Sequence, residues 1–303
     1  NTFESVALEW LKVRKKPVVI ESSYERIKTR LENDIFPYLG SQPVDKIKPT
    51  ELLETLRHVT DRGAIETAHR ILSSCDAIFR YAIATGRAES SPARDLKDAL
   101  TAVTPGEFAA ITEPDDIGQL LRAIDAYKGT LTTRIALKLS ALVFARPGEL
   151  RRAKWADIYL TDKQGRYLVT KTDREQIVPL SHQAIALLEQ IQMVTGDYEY
   201  VFPGARSNAR PMSENAITAA LRSMGYSGDQ MTAHGFRTMA STRLNEMASH
   251  SQENLSWDAD CIEVQLAHVT GRVRGVYNRG KYIKGRTDMM QTWADYLDEL
   301  RAL

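Results

Sequence analysis

The sequence predicts a mainly α-helical protein with a small antiparallel β-sheet (α+β), arranged as two domains. Three observations carry this. The chain has 303 residues, more than one ordinary core accommodates and comfortable for two. Apolar residues recur at helical spacing over most of its length, while strand-like patterns are confined to three short pieces. Turn signals crowd into residues 88–116, which read as a linker: Ser90-Ser91-Pro92, Thr104-Pro105-Gly106 and Glu113-Pro114-Asp115-Asp116. The domain boundaries predicted are 1–104, with the linker from about 88, and 105–303.

In the first domain, Phe3, Val6, Leu8, Trp10 and Leu11 mark an amphipathic helix that Pro17 ends. A second helix runs from about Ser22 to Asp34 and stops at Phe36-Pro37. A third opens at Pro49, where Pro followed by Thr50-Glu51 is a start signal, and closes at Arg62-Gly63. A fourth covers about Ala64 to Ala84 and ends at Gly86. Four helices of this length make a credible small module.

The second domain is mixed. Helices are predicted at 115–127, 130–144 and 182–195. Between them lie β-like pieces at Trp155–Tyr159, Arg166–Val169 and Gln176–Pro179, too short and few for a doubly wound sheet. After Pro203-Gly204 the pattern returns to helix, at 213–224, 233–248, 258–267, 271–280 and 284–302. Met289, Met290, Trp293, Leu297 and Leu300 form a helical apolar stripe, the usual mark of core packing.

Composition narrows the function. Hydrophobic residues are 43% and charged residues 26%, the range of a folded globular chain. No apolar run approaches the roughly 18 residues of a membrane span, and the opening residues are no signal peptide. The chain opens on Asn1 rather than Met and so reads as a piece of a longer one. Two cysteines, Cys75 and Cys261, exclude a disulfide scaffold and suit a reducing cytoplasm. Net charge is only +1, but its distribution is uneven. Residues 12–30 hold seven Lys or Arg against two Glu. Residues 264–287 hold Arg272, Arg274, Arg279, Lys281, Lys284 and Arg286 and no acid. A solvated face is the ordinary meaning of either run.

Neither HExxH nor GxSxG occurs. Gly275 to Lys281 imitates a phosphate-binding loop but continues with Tyr282, with no strand before it. Three groups remain. Arg146-Pro147-Gly148-Glu149-Leu150 places a guanidinium at a helix-to-turn junction, where its fork can face a cleft and Glu149 can hold the backbone or a second basic group. In His234-Gly235-Phe236-Arg237, residues i and i+3 share a helix face; Thr232 can cap the helix, Gly235 permits close backbone approach and Phe236 faces the core. Arg binds phosphate bidentately, and His adds a hydrogen bond or a proton. Gln265-Leu266-Ala267-His268 is followed nine residues later by Tyr277, inside the acid-free basic run that would stabilise a phenolate. A surface cap, a chance pair and a core tyrosine are the bland alternatives.

Taken together, in this order, with a Lys in the turn at Val169-Thr170-Lys171-Thr172-Asp173, these motifs resemble the tyrosine recombinase family, and more narrowly the integrases of phages, satellite phages, prophages and genomic islands. Val178-Pro179-Leu180-Ser181-His182, Pro211 to Ala216 and Met289 to Leu297 are similar too. Phe144-Ala145 departs from the Thr-Gly that many members carry before the first Arg. The resemblance implies a helical core-binding domain followed by a catalytic domain. A further domain that binds arm-type DNA is expected to be absent, its place lying before residue 1.

Carried over residue by residue, the resemblance makes Tyr277 the nucleophile on a DNA phosphodiester, leaving a 3′-phosphotyrosine and a free 5′-hydroxyl. Arg146 and Arg237 hold the non-bridging oxygens. His234 handles the tyrosine proton or assists the phosphate contact. Lys171, with Arg174 as the neighbouring cation, protonates the leaving oxygen. His268 is a further donor and Glu149 a support. Lys12, Arg14, Lys15, Arg272, Arg274 and Arg279 are expected to bind DNA phosphates. No cofactor or metal is expected: the fixed cations would carry the charge of the pentavalent transition state, and the covalent intermediate would conserve bond energy. The implied partners are double-stranded attachment-site DNA, a tetramer on that DNA with the last helix docking on a neighbouring protomer, and DNA-bending and directionality proteins; the implied place is the bacterial nucleoid. A type IB topoisomerase-like strand passer and a catalytically inert DNA-binding relative remain alternatives.

Overall fold

The computed structural model describes residues 1–103, 106, 108–169, 174–250, 255–267 and 282–303. The turn with Lys171, the helix expected over 271–280, and His268, Arg272, Arg274, Tyr277 and Arg279 lie outside them. The chain divides into two compact units, 1–106 and 107–303.

The first unit is four helices. Helix α1 (Phe3–Trp10) starts where Thr2 Oγ1 accepts from the Ser5 amide, and it buries Phe3, Val6, Ala7 and Trp10 on one stripe. It runs on as a single wide turn over Leu11–Lys15, closed by Lys16 N–H to Leu11 C=O, before Pro17 ends it. Helix α2 (Glu21–Asp34) is followed by a similar turn at Phe36–Gly40. Helix α3 (Pro49–Asp61) opens with the Glu51 carboxylate accepting from the Lys48 amide. Helix α4 (Ile65–Ala84) is the longest of the four, and Gly86, at φ +72°, turns the chain after it. Phe3 and Phe79 meet at 5.2 Å between ring centroids in the core, and Ala93, Leu96 and Leu100 belong to the same core.

The second unit is built round helix α6 (Leu131–Val143), where every residue from Ile135 to Val143 except Lys138 is buried. Helix α5 (Pro114–Ala126) and helix α7 (Pro147–Leu150) flank it in sequence. Strands β1 (Ile158–Tyr159), β2 (Gln164–Val169) and β3 (Arg174–Pro179) form an antiparallel meander, with Gly165 opposite Val178. Helix α8 (His182–Thr195) is capped by Ser181. A two-stranded hairpin, β4 (Pro203–Gly204) and β5 (Ser207–Pro211), precedes α9 (Ala216–Ser223), α10 (Gly235–His250), α11 (Ala259–Gln265) and α12 (Ile283–Ala302).

Several details depart from the pattern-based expectation. Trp155–Asp157 is a tight helical turn rather than strand, because the indole donates to the Thr195 carbonyl and the Trp155 amide to Glu199. The hairpin at 203–211 was not foreseen. Its residues are largely exposed, so no burial alternation marks it. The stripe of α12 packs within its own unit, against α5 and α6. Trp293 is fully buried, and its indole donates to Ala141 C=O at 2.8 Å. The apolar face is thus used in the chain's own core, the ordinary meaning of such a stripe. No helix among the described residues is long and apolar enough to cross a membrane.

Candidate active site

The site begins at the junction of α6 and α7. Phe144 ends α6 in the left-handed region (φ 35°, ψ 35°), fully buried, its ring edge-on to Trp293. The chain then extends through Arg146, and Pro147 opens the next turn. Glu149, its side chain only 6% exposed, grips Arg146 twice: one carboxylate oxygen accepts from the Arg146 amide at 3.0 Å, the other from Nη1 at 2.9 Å. Of the two tasks open to Glu149 in the sequence, it holds the backbone and the guanidinium of Arg146 itself.

The second piece is the start of α10. Thr232 Oγ1 accepts from the Gly235 amide and caps the helix, as the sequence suggests. The Thr232 amide donates to Ala109 C=O. A Cβ at Gly235 would lie 2.5 Å from that carbonyl oxygen and 2.8 Å from Met231 Sδ, so only glycine lets residue 109 pass. Phe236 is buried in the core. His234 lies against the ring of Phe108, with centroids 4.3 Å apart. Arg237 is 4% exposed; Nη1 donates to Phe144 C=O at 2.9 Å and Nη2 to Leu266 C=O at 2.6 Å.

The third piece is the end of α11, where Ala267 takes a left-handed φ of 50°. Its carbonyl oxygen accepts from Arg146 Nη2 at 3.3 Å. Two guanidiniums, from the residue just ahead of α7 and from α10, therefore meet consecutive carbonyls at a helix C-terminus, where the backbone dipole favours cations. His268 is the next residue in the chain. Arg146 keeps a quarter of its side chain exposed, while Arg237 sits beneath the surface. Such an arrangement presents fixed positive charge with few rotamers left to lose on binding an anion.

The other expected contacts are spread out. Lys12 and Arg14 are exposed on the first unit, and Lys15 Nζ lies 5.1 Å above the Trp10 ring. Arg14 borders a groove of about 420 Å³ with Trp10, Arg80 and Tyr81. Arg80 escaped the sequence reading, although Ala77, Arg80, Tyr81 and Ala84 share helical spacing. Next to the groove, Arg87 donates to Glu9 from both terminal nitrogens and Tyr81 donates a third bond, which together hold the Glu9 carboxyl below its ordinary range. Arg286, counted in the second basic run, is 3% exposed and donates to Gln265 Oε1 inside the second unit rather than lying on a solvated face.

Comparison with known proteins agrees with this architecture. The model of the phage integrase central domain matches residues 3–99, and that of the phage integrase family matches residues 111–282. The integrase of Shigella phage Sf6 is 36% identical over 306 residues, 99% of this chain and 76% of that protein. Prophage integrase IntS of Escherichia coli (strain K12) is 36% identical with the same coverage. Among solved structures, a lambda integrase tetramer bound to a Holliday junction superposes with a TM-score of 0.70 at 20% identity, covering 90% of this chain and 79% of that one, and so shares the fold. On the matches to both domain models and to these relatives, the chain belongs to the phage integrase family and is a site-specific tyrosine recombinase.

Proposed function

We propose that the second unit cleaves and rejoins double-stranded DNA at attachment sites of a mobile element, with Arg146, His234 and Arg237 as the fixed part of its active site. The convergence of Arg146 and Arg237 on carbonyls 267 and 266 is the observation that carries this reading. In the reaction the Tyr277 oxygen attacks phosphorus. A tyrosyl–phosphorus bond forms and the bond to the 5′-oxygen breaks. The phenol proton passes by way of His234 or solvent, and Lys171 gives a proton to the departing 5′-oxygen. The arginines bear the growing charge on the non-bridging oxygens, and Glu149 fixes Arg146. His268 adds a donor. Reversal with the 5′-hydroxyl of a second duplex rejoins the strands without ATP.

The DNA partner follows from the basic residues Lys12, Arg14 and Lys15 of the first unit together with Arg272, Arg274 and Arg279. By likeness to the lambda integrase tetramer on a Holliday junction, four copies act together on DNA. DNA-bending and directionality proteins and a place in the bacterial nucleoid complete the reading.

A duplex nicked close to the cleavage point loses the short fragment that carries the freed 5′-hydroxyl, and so traps the covalent complex. The wild-type chain accumulates protein joined to DNA; Tyr277→Phe binds equally and accumulates none. An adduct in the Phe protein would show that another residue is the nucleophile. Strand exchange between two site-bearing duplexes distinguishes recombination from topoisomerase-like relaxation, and the adduct itself distinguishes either from an inert relative.

A further inference from the structure

Arg286 is in the first turn of α12, yet it is almost wholly enclosed. Its Nε and Nη2 donate to Gln265 Oε1 at 3.1 and 2.6 Å, and Nη2 also donates to the Ile177 carbonyl oxygen of β3. Gln265, 2% exposed, is the last residue of α11. From the other side, Gln176 Nε2 donates to Val264 C=O at 2.9 Å and reaches Gln265 C=O at 3.4 Å. One strand and two helices are thus tied at the end of α11.

The next two carbonyls along the chain are those that seat Arg237 and Arg146. Three arginines, one just ahead of α7 and the others on α10 and α12, therefore fan onto residues 265, 266 and 267. We infer that Arg286 is a positioning residue for the recombination chemistry: it fixes the α11 terminus on which both catalytic guanidiniums rest. The inference rests on the role proposed above for Arg146 and Arg237. Helix α11 has only seven residues, too few to hold its own geometry, so ties from outside set the position of its end. A buried guanidinium is costly to desolvate where an apolar residue would pack as well, and specifying one geometry is a use that offsets the cost.

The test compares Arg286→Met, Arg286→Lys and Gln265→Asn in the full chain on the nicked duplex. Single-turnover adduct formation, affinity for the same duplex and hydrogen exchange at residues 264–267 are read. The expected result for Arg286→Met is a rate loss on the order of 10²-fold, as a displacement of about 1 Å produces, with affinity unchanged and faster exchange at 264–267. Arg286→Lys, which keeps the charge, recovers part of the rate. Gln265→Asn shortens the acceptor by one methylene and gives the same split in milder form, which keeps the test decisive if Arg286→Met does not fold. A wild-type rate in Arg286→Met, or in Gln265→Asn, overturns the inference. So does a rate loss matched by equal losses of affinity and folded fraction. Exchange at 264–267 judges the tie without reference to chemistry, whereas an adduct surviving Tyr277→Phe overturns the nucleophile alone.

Discussion

Arg237 reaches across 93 residues of chain to donate to Phe144 C=O, the carbonyl of a residue held left-handed at the end of α6. The conformation that turns this oxygen toward the guanidinium is one that side-chain-bearing residues adopt at a cost of roughly 1–2 kcal/mol. Burial of the Phe144 ring against Trp293 offsets it.

Replacing Phe144 separates the two effects. Phe144→Ala keeps the strain and empties the cavity, and should destabilise the second unit by about 3–5 kcal/mol. Phe144→Gly also loses the ring but relieves the strain, and should be more stable than the Ala protein by roughly 1–2 kcal/mol. Urea unfolding checks the order. An Ala protein as stable as the Gly protein would mean that the left-handed turn is not retained in solution.

Glu149 is expected to matter to rate more than to affinity. Glu149→Ala leaves the Arg146 amide and Nη1 without their shared acceptor. The cost to stability should be about 1–3 kcal/mol. Cleavage of the nicked duplex should slow on the order of 10²-fold as the fork loses its aim. Binding measured on the same duplex should hardly change; a parallel loss of both would place Glu149 in DNA contact instead.

For the first unit, substitution of Lys12, Arg14 or Lys15 by Ala should weaken binding evenly across DNA sequences. Each should lower the slope of log affinity against log salt by about 1. Titrations at several salt concentrations measure this. An unchanged slope in all three proteins removes the turn at Leu11–Lys15 from the DNA-binding surface.

The cluster of Glu9, Tyr81 and Arg87 gives a pH dependence of known sign. The Glu9 carboxyl is lowered, chiefly by the hydrogen bond from Arg87 and next by that from Tyr81. A group with a depressed folded pKa adds stability that is fully present above its unfolded pKa and lost as pH falls through the folded one. The first unit should therefore lose stability on acidification, and Arg87→Gln should remove part of that slope while leaving neutral-pH activity on DNA unchanged. Thermal melts over the acid range test it. Equal slopes in the two proteins would mean that solvent screens the cluster fully.

Much of this arrangement was readable from residue order because local rules and tertiary packing agree. Phe3, Val6 and Trp10 follow one stripe, Pro49 opens a helix, and Gly235 stands where only glycine fits. The misses have physical causes. The hairpin at 203–211 is largely exposed and carries no periodic burial. Arg286 looks like one more cation in a basic run, because charge alone does not say which way a side chain points. A signal was present: Arg286, Met289, Met290, Trp293, Leu297 and Leu300 share one helical stripe, and all are buried. Reading phase before charge would have placed it inside. The stripe of α12 is spent in the chain's own core, since an apolar stripe specifies a dry neighbour without saying whose.

The cis packing of α12 also sets an order of assembly during synthesis. Residues 1–106 hold all the partners of their own core, so a nascent chain can complete that unit early. The core round α6 lacks Met289, Trp293 and Leu297 until the ribosome has passed them. A chain still being translated thus completes the core of residues 1–106 before that of 107–303, and a premature stop ahead of residue 289 leaves the second core without Met289, Trp293 and Leu297.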